Sequence, residues 1–146
     1  MIKALIDTNV ILDIALNREP FFEHSSKIFD KIDDQILEGF ITASSITDIY
    51  YVASKQKGKL QARKFLINLI QILDVVGVDK DIVIQALESE MSDFEDAIQV
   101  FSAKLNSIDL LITRNIADFA LSDLPVMSPM DFLQTIETQN LEDLIF

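Results

Sequence analysis

Acidic residues at the ends of predicted strands are the part of this sequence best suited to chemistry. Asp7 comes directly after a short buried strand predicted over Ile2 to Ile6, and Asp48 lies in the first turn of the helix after the second predicted strand. Asp118 follows the fourth predicted strand by a few residues. Ligands bind beyond the carboxyl ends of the strands in an open parallel sheet, so we expect these three carboxylates at one edge.

A second acidic group, Asp93, Glu95 and Asp96, opens the helix that leads into the fourth strand. Asp93 and Glu95 are typical of a first helical turn, where the helix dipole favours negative charge. Asp96 shares a helical row with Val100 and Ala103, where a carboxylate is costly without a partner. Because the group stands at the far end of its helix from the strand, it meets the strand-end acids only if the helix leans inward.

The combination of donor types indicates a particular class of metal. Converging carboxylates repel one another and raise each other's pKa values unless a cation is bound. The chain has no Cys, and its single His, His24, lies on the polar side of a predicted amphipathic helix and is interpreted as incidental. Oxygen ligands alone suit Mg²⁺ or Mn²⁺ rather than zinc, so we predict a site for one of these ions.

Size and composition favour one soluble domain. The chain has 146 residues, 49% of them hydrophobic, which suffices for a buried core in a single domain over 1–146. The tail from Thr138 to Phe146 has no predicted structure. No signal peptide or membrane-spanning stretch is visible, so we expect a cytoplasmic protein without a membrane partner.

The charge distribution gives conflicting indications about nucleic acid. A net charge of −12 disfavours phosphate binding, which normally uses Lys and Arg. Five of the twelve basic residues, however, fall within one acid-free segment of ten residues. They are Lys55, Lys57, Lys59, Arg63 and Lys64. The segment is either an RNA-binding edge or a solvated loop and helix start.

Strand patterns alternate with helix patterns along the chain, which predicts an α/β domain with a mostly parallel sheet. The predicted strands are Ile2 to Ile6, Gly39 to Ala43, Leu73 to Val76, Asp109 to Thr113 and Pro125 to Met127. Four predicted helices have both bounds assigned: Thr8 to Leu16, Phe22 to Leu37, Lys59 to Ile72 and Asp79 to Glu90. Three more are a helix capped by Ser44 or Ser45, a helix that a capping box at Ser92 opens and that runs to Leu105, and a last helix that begins at Pro129.

Four short motifs, in order and at suitable spacing, resemble those of PIN domains. They are Leu5-Ile6-Asp7-Thr8-Asn9-Val10, Ser44-Ser45-Ile46-Thr47-Asp48, Asp93-Phe94-Glu95-Asp96-Ala97 with Ala103, and Ile112-Thr113-Arg114-Asn115 with Asp118-Phe119. The chain is most similar to bacterial members with D-F-E-D-A and T-R-N-x-x-D-F patterns. The resemblance covers nearly the whole sequence.

The resemblance implies a three-layer α/β/α domain with a five-stranded parallel sheet, and an endoribonuclease that depends on Mg²⁺ or Mn²⁺. It further implies the toxin of a VapC-type toxin–antitoxin pair, dimeric and silenced by a small antitoxin protein. The implied catalytic and metal-binding residues are Asp7, Asp48, Asp96 and Asp118, with Asp93 as a further metal ligand. The implied supporting residues are Thr8, Asn9, Thr113 and Asn115.

Two positions depart from the family pattern. Asp48 stands where many relatives have Glu, so its carboxylate is one methylene shorter. Asn115 stands where many have Asp, so the fourth acidic position is shared between Asn115 and Asp118. These departures and the net charge leave open a PIN-like RNA- or protein-binding module with weakened catalysis.

Two other functions are weighed against the pattern. A phosphatase with an Asp nucleophile needs a second Asp two residues after the first, and this sequence has Asn9 there. A response-regulator-like domain needs an acidic pair after the first strand and a Lys after the last, and neither is present.

The helix that carries Ile49, Tyr50, Tyr51 and Val52 is apolar over a wider arc than one buried face requires. We therefore expect part of it to form an antitoxin-binding groove or a homodimer contact.

Overall fold

A five-stranded parallel sheet forms the centre of the computed structural model, which describes residues 1–138. The strand order is β3-β2-β1-β4-β5, and every neighbouring pair is parallel. The strands are β1 (Ile2–Ile6), β2 (Leu37–Thr42), β3 (Asp74–Val76), β4 (Leu110–Ile112) and β5 (Val126–Met127).

Helices connect the strands in the alternation that the sequence predicts. They are α1 (Thr8–Ala15), α2 (Phe22–Asp33), α3 (Ala43–Lys57), α4 (Lys59–Ile72), α5 (Lys80–Glu88), α6 (Phe94–Leu105) and α7 (Pro129–Thr138). A 3₁₀ turn over Ile116–Phe119 follows β4. Thr138, the first residue of the tail that the sequence leaves unassigned, ends α7, and residues 139–146 lie outside the described part of the chain.

The two faces of the sheet pack against different sets of helices. Ile6 and Ile112 belong to a large cluster that includes residues of α1, α2, α3, α4 and α7. Leu5 and Leu111, one residue earlier on the same strands, point the other way into a cluster with Val100 of α6. Side chains alternate between the faces of a strand, so both faces are covered and both are apolar. The predicted three-layer α/β/α fold is thus confirmed.

Several predicted boundaries are wrong, and the helix caps give the reason. Helix α3 begins at Ala43, because the Thr42 hydroxyl, rather than Ser44 or Ser45, accepts the Ser45 N–H at 3.2 Å. Helix α6 begins at Phe94, because Asp93, rather than Ser92, accepts the Asp96 N–H at 2.9 Å. Polar side chains within three residues of one another compete for the same cap, and the sequence does not distinguish them.

Among residues 1–138, no helix is both long enough and apolar enough to cross a membrane.

Candidate active site

Acidic side chains from four parts of the chain meet in one cavity of about 360 Å³. The cavity lies at the carboxyl ends of β1, β2 and β4, where an open parallel sheet binds ligands. We call this space the acidic cavity. Its acidic lining residues are Asp7, Asp48, Asp93, Glu95, Asp96 and Asp118. The structure therefore brings together all six acids that the sequence singled out, five of which the resemblance implies as metal ligands.

Each strand-end acid is carried by the element that follows its strand. Asp7 directly follows β1 and precedes α1, and it is 4% exposed. Asp48 lies in the second turn of α3, one turn later than predicted, because α3 begins at Ala43. Asp118 lies in the exposed 3₁₀ turn after β4.

Helix α6 brings the second acidic group to the same cavity. The helix runs back along the sheet before β4, so its first turn lies at the carboxyl edge although its last turn leads into the amino end of the strand. Asp93, Glu95 and Asp96 therefore reach the cavity. One turn further along α6, the Gln99 side chain donates to Asp7, which joins the helix to the end of β1.

Neutral donors hold the buried Asp7 carboxylate. Gln99 Nε2 donates to Oδ1 at 2.8 Å, and Thr113 Oγ1 donates to Oδ2 at 2.8 Å. Burial raises the pKa of Asp7, while these two hydrogen bonds, the Thr8 backbone and the charge of Arg114 act in the opposite direction. The carboxylate is thus placed rigidly, although no cation of the protein contacts it among the described residues.

Repulsion within the acidic cavity is visible in two further carboxyls. A hydrogen bond to Asp48, partial burial and the charges of Asp48, Asp93 and Asp7 raise the pKa of Glu95 to about 7. A hydrogen bond between two carboxyls requires a proton on one of them. Burial, and then the charges of Asp93, Asp7, Asp118 and Glu95, raise the pKa of Asp96 to about 7.

The predicted supporting residues also border the site. Thr113 contacts Asp7 directly, and its hydroxyl accepts the Asn115 N–H at 3.1 Å. Asn9 and Asn115 line the cavity, so their amides add neutral oxygen and nitrogen groups to it. Thr8 lines it as well, but its hydroxyl donates to Ser45 Oγ at 2.7 Å rather than to an acid.

The donor set of the acidic cavity fits a hard divalent cation. Its lining contains carboxylates, amides and hydroxyls but no His or Cys, and Mg²⁺ and Mn²⁺ prefer oxygen. Within residues 1–138, no three acidic or His side chains are already grouped closely enough to hold one ion. Binding therefore requires carboxylates to rotate inward or water molecules to complete the coordination, as Mg²⁺ commonly allows.

Sequence reasoning missed a buried ion pair next to the site. Asp13 of α1 has no exposed surface, and Arg114 binds it through Nε–Oδ2 at 2.8 Å and Nη2–Oδ1 at 3.3 Å. Arg18 lies 3.7 Å from the same carboxylate. Gln99 was missed as well, although its position three residues after Asp96 places both on one helical face.

The predicted RNA-binding residues lie at the end of α3 and in the first part of α4, where they have different neighbours. Lys55 donates to the hydroxyl of Tyr51, which borders the acidic cavity. Lys57 and Lys64 line a groove of about 550 Å³ that includes the end of α1. Arg63 lies over the ring of Tyr50 at 5.5 Å, and Lys59 begins α4.

The predicted interface helix has both a buried and an exposed side. Ile49 is fully buried, whereas Tyr51 is 60% exposed. Tyr50 borders a mostly apolar groove of about 420 Å³ with Ile46 of α3 and with Ile67 of α4, which is 58% exposed. Exposed apolar surface of this kind is therefore present on the α3–α4 pair.

Comparison with solved structures shows similarity across most of the chain. DNA-bound VapBC from Salmonella typhimurium gives a TM-score of 0.69 at 17% identity, covering 88% of this chain and 99% of that one. A toxin–antitoxin complex from Klebsiella pneumoniae gives 0.65 at 24%, covering 86% and 97%. VapC20 from Mycobacterium tuberculosis, a Sarcin-Ricin loop cleaving toxin, gives 0.60 at 12%, covering 74% and 86%.

At these identities the structural similarity establishes the fold alone. No curated protein matches the sequence significantly. A sequence model of one family, described as PIN domain, matches residues 3–117 and so covers all four motifs up to Asn115. The match spans well over half of the chain and agrees with the motifs, and the chain therefore belongs to the PIN domain family.

Proposed function

We propose that this protein is an endoribonuclease that hydrolyses RNA phosphodiester bonds with Mg²⁺ or Mn²⁺, and that it is the toxin of a VapC-type toxin–antitoxin pair. The observation that carries the proposal is the gathering of acids around a buried Asp7 that has only neutral hydrogen-bond donors. The similarity to VapBC and VapC20 structures and the D-F-E-D-A and T-R-N-x-x-D-F motifs support it.

Four acids are proposed to hold the metal. Asp7 and Asp96 hold the first ion, and Asp48 and Asp118 complete its coordination or hold a second, with Asp93 as a further ligand. When bound, the ion supplies Lewis acidity and lowers the pKa of its bound water. Asn115 borders the cavity beside Thr113 and is proposed to support the site with Thr8 and Asn9 rather than to replace Asp118 as a ligand.

The charge of the cavity determines how the side chains act. Without a cation, Glu95 and Asp96 are close to half-protonated at neutral pH. Ionised, they repel the phosphate of a substrate. Without a bound cation the ionised acids of the acidic cavity therefore disfavour an anion there.

Cleavage of a defined single-stranded RNA tests the proposal. The wild-type chain should cut it with Mg²⁺ or Mn²⁺, and EDTA should stop the reaction. Asp96→Asn should abolish cleavage, whereas Asp34→Asn, a matched change of an exposed acid outside the acidic cavity, should not. Metal-independent cleavage, or equal activity of both variants, would overturn the proposal.

The weakened binding module is the second candidate, favoured by the net charge and by the absence of a ready-made three-acid ligand group among residues 1–138. It predicts that the wild-type chain binds the same RNA with metal but leaves it intact. Product analysis after long incubation at high protein concentration separates the two functions.

The basic segment is proposed to contact RNA phosphates. Neutralising Lys55, Lys57, Lys59, Arg63 and Lys64 together should weaken RNA binding and flatten its salt dependence. Each lost phosphate contact lowers the slope by roughly 0.7 to 1 unit. A five-fold neutral variant with the wild-type slope would identify the segment as ordinary surface.

The exposed side of α3 is proposed as the antitoxin groove or the homodimer contact. An apolar partner segment would cover Tyr50, Tyr51 and Ile67 and aim a basic side chain at the acidic cavity. Tyr51→Glu should weaken dimerisation or partner capture and leave metal affinity unchanged. If sedimentation shows an unchanged mass and pull-down shows unchanged partner capture, α3 does not form the interface.

A further inference from the structure

A second cavity of about 330 Å³ lies beside the acidic cavity at the same edge of the sheet. Its lining is mostly apolar, with one arginine and the single histidine of the chain. The main lining residues are Pro20, Phe21, His24, Arg114, Pro129 and Met130. Pro129 begins α7 two residues after β5, so this cavity lies by the carboxyl ends of β4 and β5.

Three consecutive residues separate the two cavities. Thr113 donates to Asp7, and Asn115 lines the acidic cavity. Arg114, between them, lines the second cavity instead. This alternation follows from the pleat of the chain as it leaves β4. A ligand that extends across these three residues therefore occupies both cavities.

The Arg114 guanidinium is fixed but not fully used. Its Nε and one Nη2 hydrogen bind Asp13, and its charge lies 4.2 Å from the centre of the Phe21 ring. The outer N–H groups on Nη1 and Nη2 have no acceptor among residues 1–138. The side chain is 26% exposed and lines the second cavity.

The surroundings favour a flat polar ring over a phosphate. Two hydrogen bonds to Asp13 already engage Arg114 and weaken its attraction for an anion, and most of the remaining lining is apolar. Two parallel N–H donors match two acceptors on one edge of a base. The O6 and N7 atoms of guanine form such an edge, and bidentate pairing with Arg is its commonest specific contact.

We propose that the second cavity binds a guanine base of the RNA next to the phosphate that is cut in the acidic cavity. The outer fork of Arg114 donates to O6 and N7, and Phe21, Pro20 and Pro129 cover the faces of the base. This proposal rests on the ribonuclease activity proposed above and adds a preference for one base to it.

Cleavage of a random-sequence RNA pool by the wild-type chain tests the preference. We expect guanine to be enriched at one fixed position beside the cut. Replacing that guanine by 7-deazaguanine, which lacks the N7 acceptor, should lower kcat/KM by about fivefold to a hundredfold. Phe21→Ala and Met130→Trp, which respectively remove a stacking surface and fill the cavity, should remove the enrichment. Leu87→Ala, at an exposed apolar residue on α5, is the matched control and should keep it.

The outcomes separate this proposal from the one on which it depends. No cleavage of any RNA overturns the ribonuclease proposal. Cleavage without guanine enrichment, or enrichment unchanged in Phe21→Ala and Met130→Trp, overturns the guanine site alone. If these two variants lose antitoxin capture but keep the wild-type base preference, the guanine site is also overturned. The cavity then binds a side chain of the antitoxin.

Discussion

Two buried aspartates lie at the two ends of helix α1, and their surroundings differ in one respect. Asp7 precedes the helix and Asp13 lies near its end, and neither exposes more than 4% of its surface. Asp13 is paired with two arginines, Arg114 and Arg18. Asp7 has only the amide of Gln99 and the hydroxyl of Thr113 as side-chain partners.

The difference identifies which carboxylate is structural. A buried charge must be neutralised or paired, because its desolvation costs several kcal/mol. At Asp13 the protein supplies the opposite charge, so the site is complete. At Asp7 it supplies neutral donors and surrounds the carboxylate with further acids. A cation from outside would complete that end of the helix, as proposed above.

The largest expected effect is loss of cleavage when the Asp7 end is changed. Asp7→Asn and Asp96→Asn remove proposed metal ligands, and changes even to groups behind such ligands cost roughly 10- to 100-fold. We therefore expect cleavage to fall at least about a hundredfold, with weaker Mn²⁺ binding in calorimetric titration. Asp123→Asn, at an exposed acid paired with Lys104, is the control. Unchanged Mn²⁺ affinity in both variants would contradict the assignment.

The two ends of α1 should respond oppositely in stability. Asp13→Asn leaves Arg114 and Arg18 without their buried partner, and breaking such a pair costs about 3–5 kcal/mol of the free energy of unfolding. Asp7→Asn removes an uncompensated charge and should be neutral or stabilising in metal-free buffer. Urea unfolding of both variants in EDTA measures the difference. Equal destabilisation would mean that Asp7 is also a structural residue.

The sequence predicts the role of Asp7 but not the ion pair of Asp13, because the first has a local signal and the second joins distant residues. Asp7 was recognisable because a polar residue interrupted the end of an apolar strand. Asp13 follows Val10-Ile11-Leu12 in the same way, yet its partner Arg114 is 101 residues away, and no local pattern predicts that pairing. Local sequence patterns therefore identify a buried acidic residue but not the distant basic residue that neutralises it.

Secondary structure shows the same limit. The predicted bounds of β1 and α4 agree with the structure. The predicted start differs from the observed one by two or three residues for α3 and by one for α6, because nearby polar side chains compete as caps. Helix α6 brings its acids to the site without the expected special lean, since a helix that returns along a parallel sheet begins at the carboxyl edge of that sheet.

The pH dependence of stability at the Asp7 end is a smaller effect. In the folded protein the pKa values of Glu95 and Asp96 are raised to about 7 from 4.5 and 3.8. The folded state therefore binds more protons than the unfolded state between these limits, and stability falls as pH rises toward 7. Above about pH 8 both carboxyls are ionised in both states and this contribution becomes constant.

Thermal unfolding at pH 5, 6, 7 and 8 in EDTA should show this decline, and Mg²⁺ should reduce it because the metal binds the ionised form. Asp96→Asn should also reduce it, whereas Asp34→Asn should keep the wild-type slope. Stability that rises from pH 5 to pH 7 in EDTA would contradict the raised pKa values.

The smallest expected effect concerns the two neutral donors of Asp7. A hydrogen bond to a charged group contributes about 1.5–3 kcal/mol, so Thr113→Val should cost about that much. Gln99→Leu should cost less, about 1 kcal/mol, because Gln99 Oε1 is buried without a hydrogen-bond partner among the described residues and its removal offsets part of the loss. Both costs should shrink in an Asp7→Asn background, which a double-mutant cycle measures. If Gln99→Leu costs more than Thr113→Val, or if its cost is the same in both backgrounds, then Gln99 stabilises α6 packing rather than the Asp7 carboxylate.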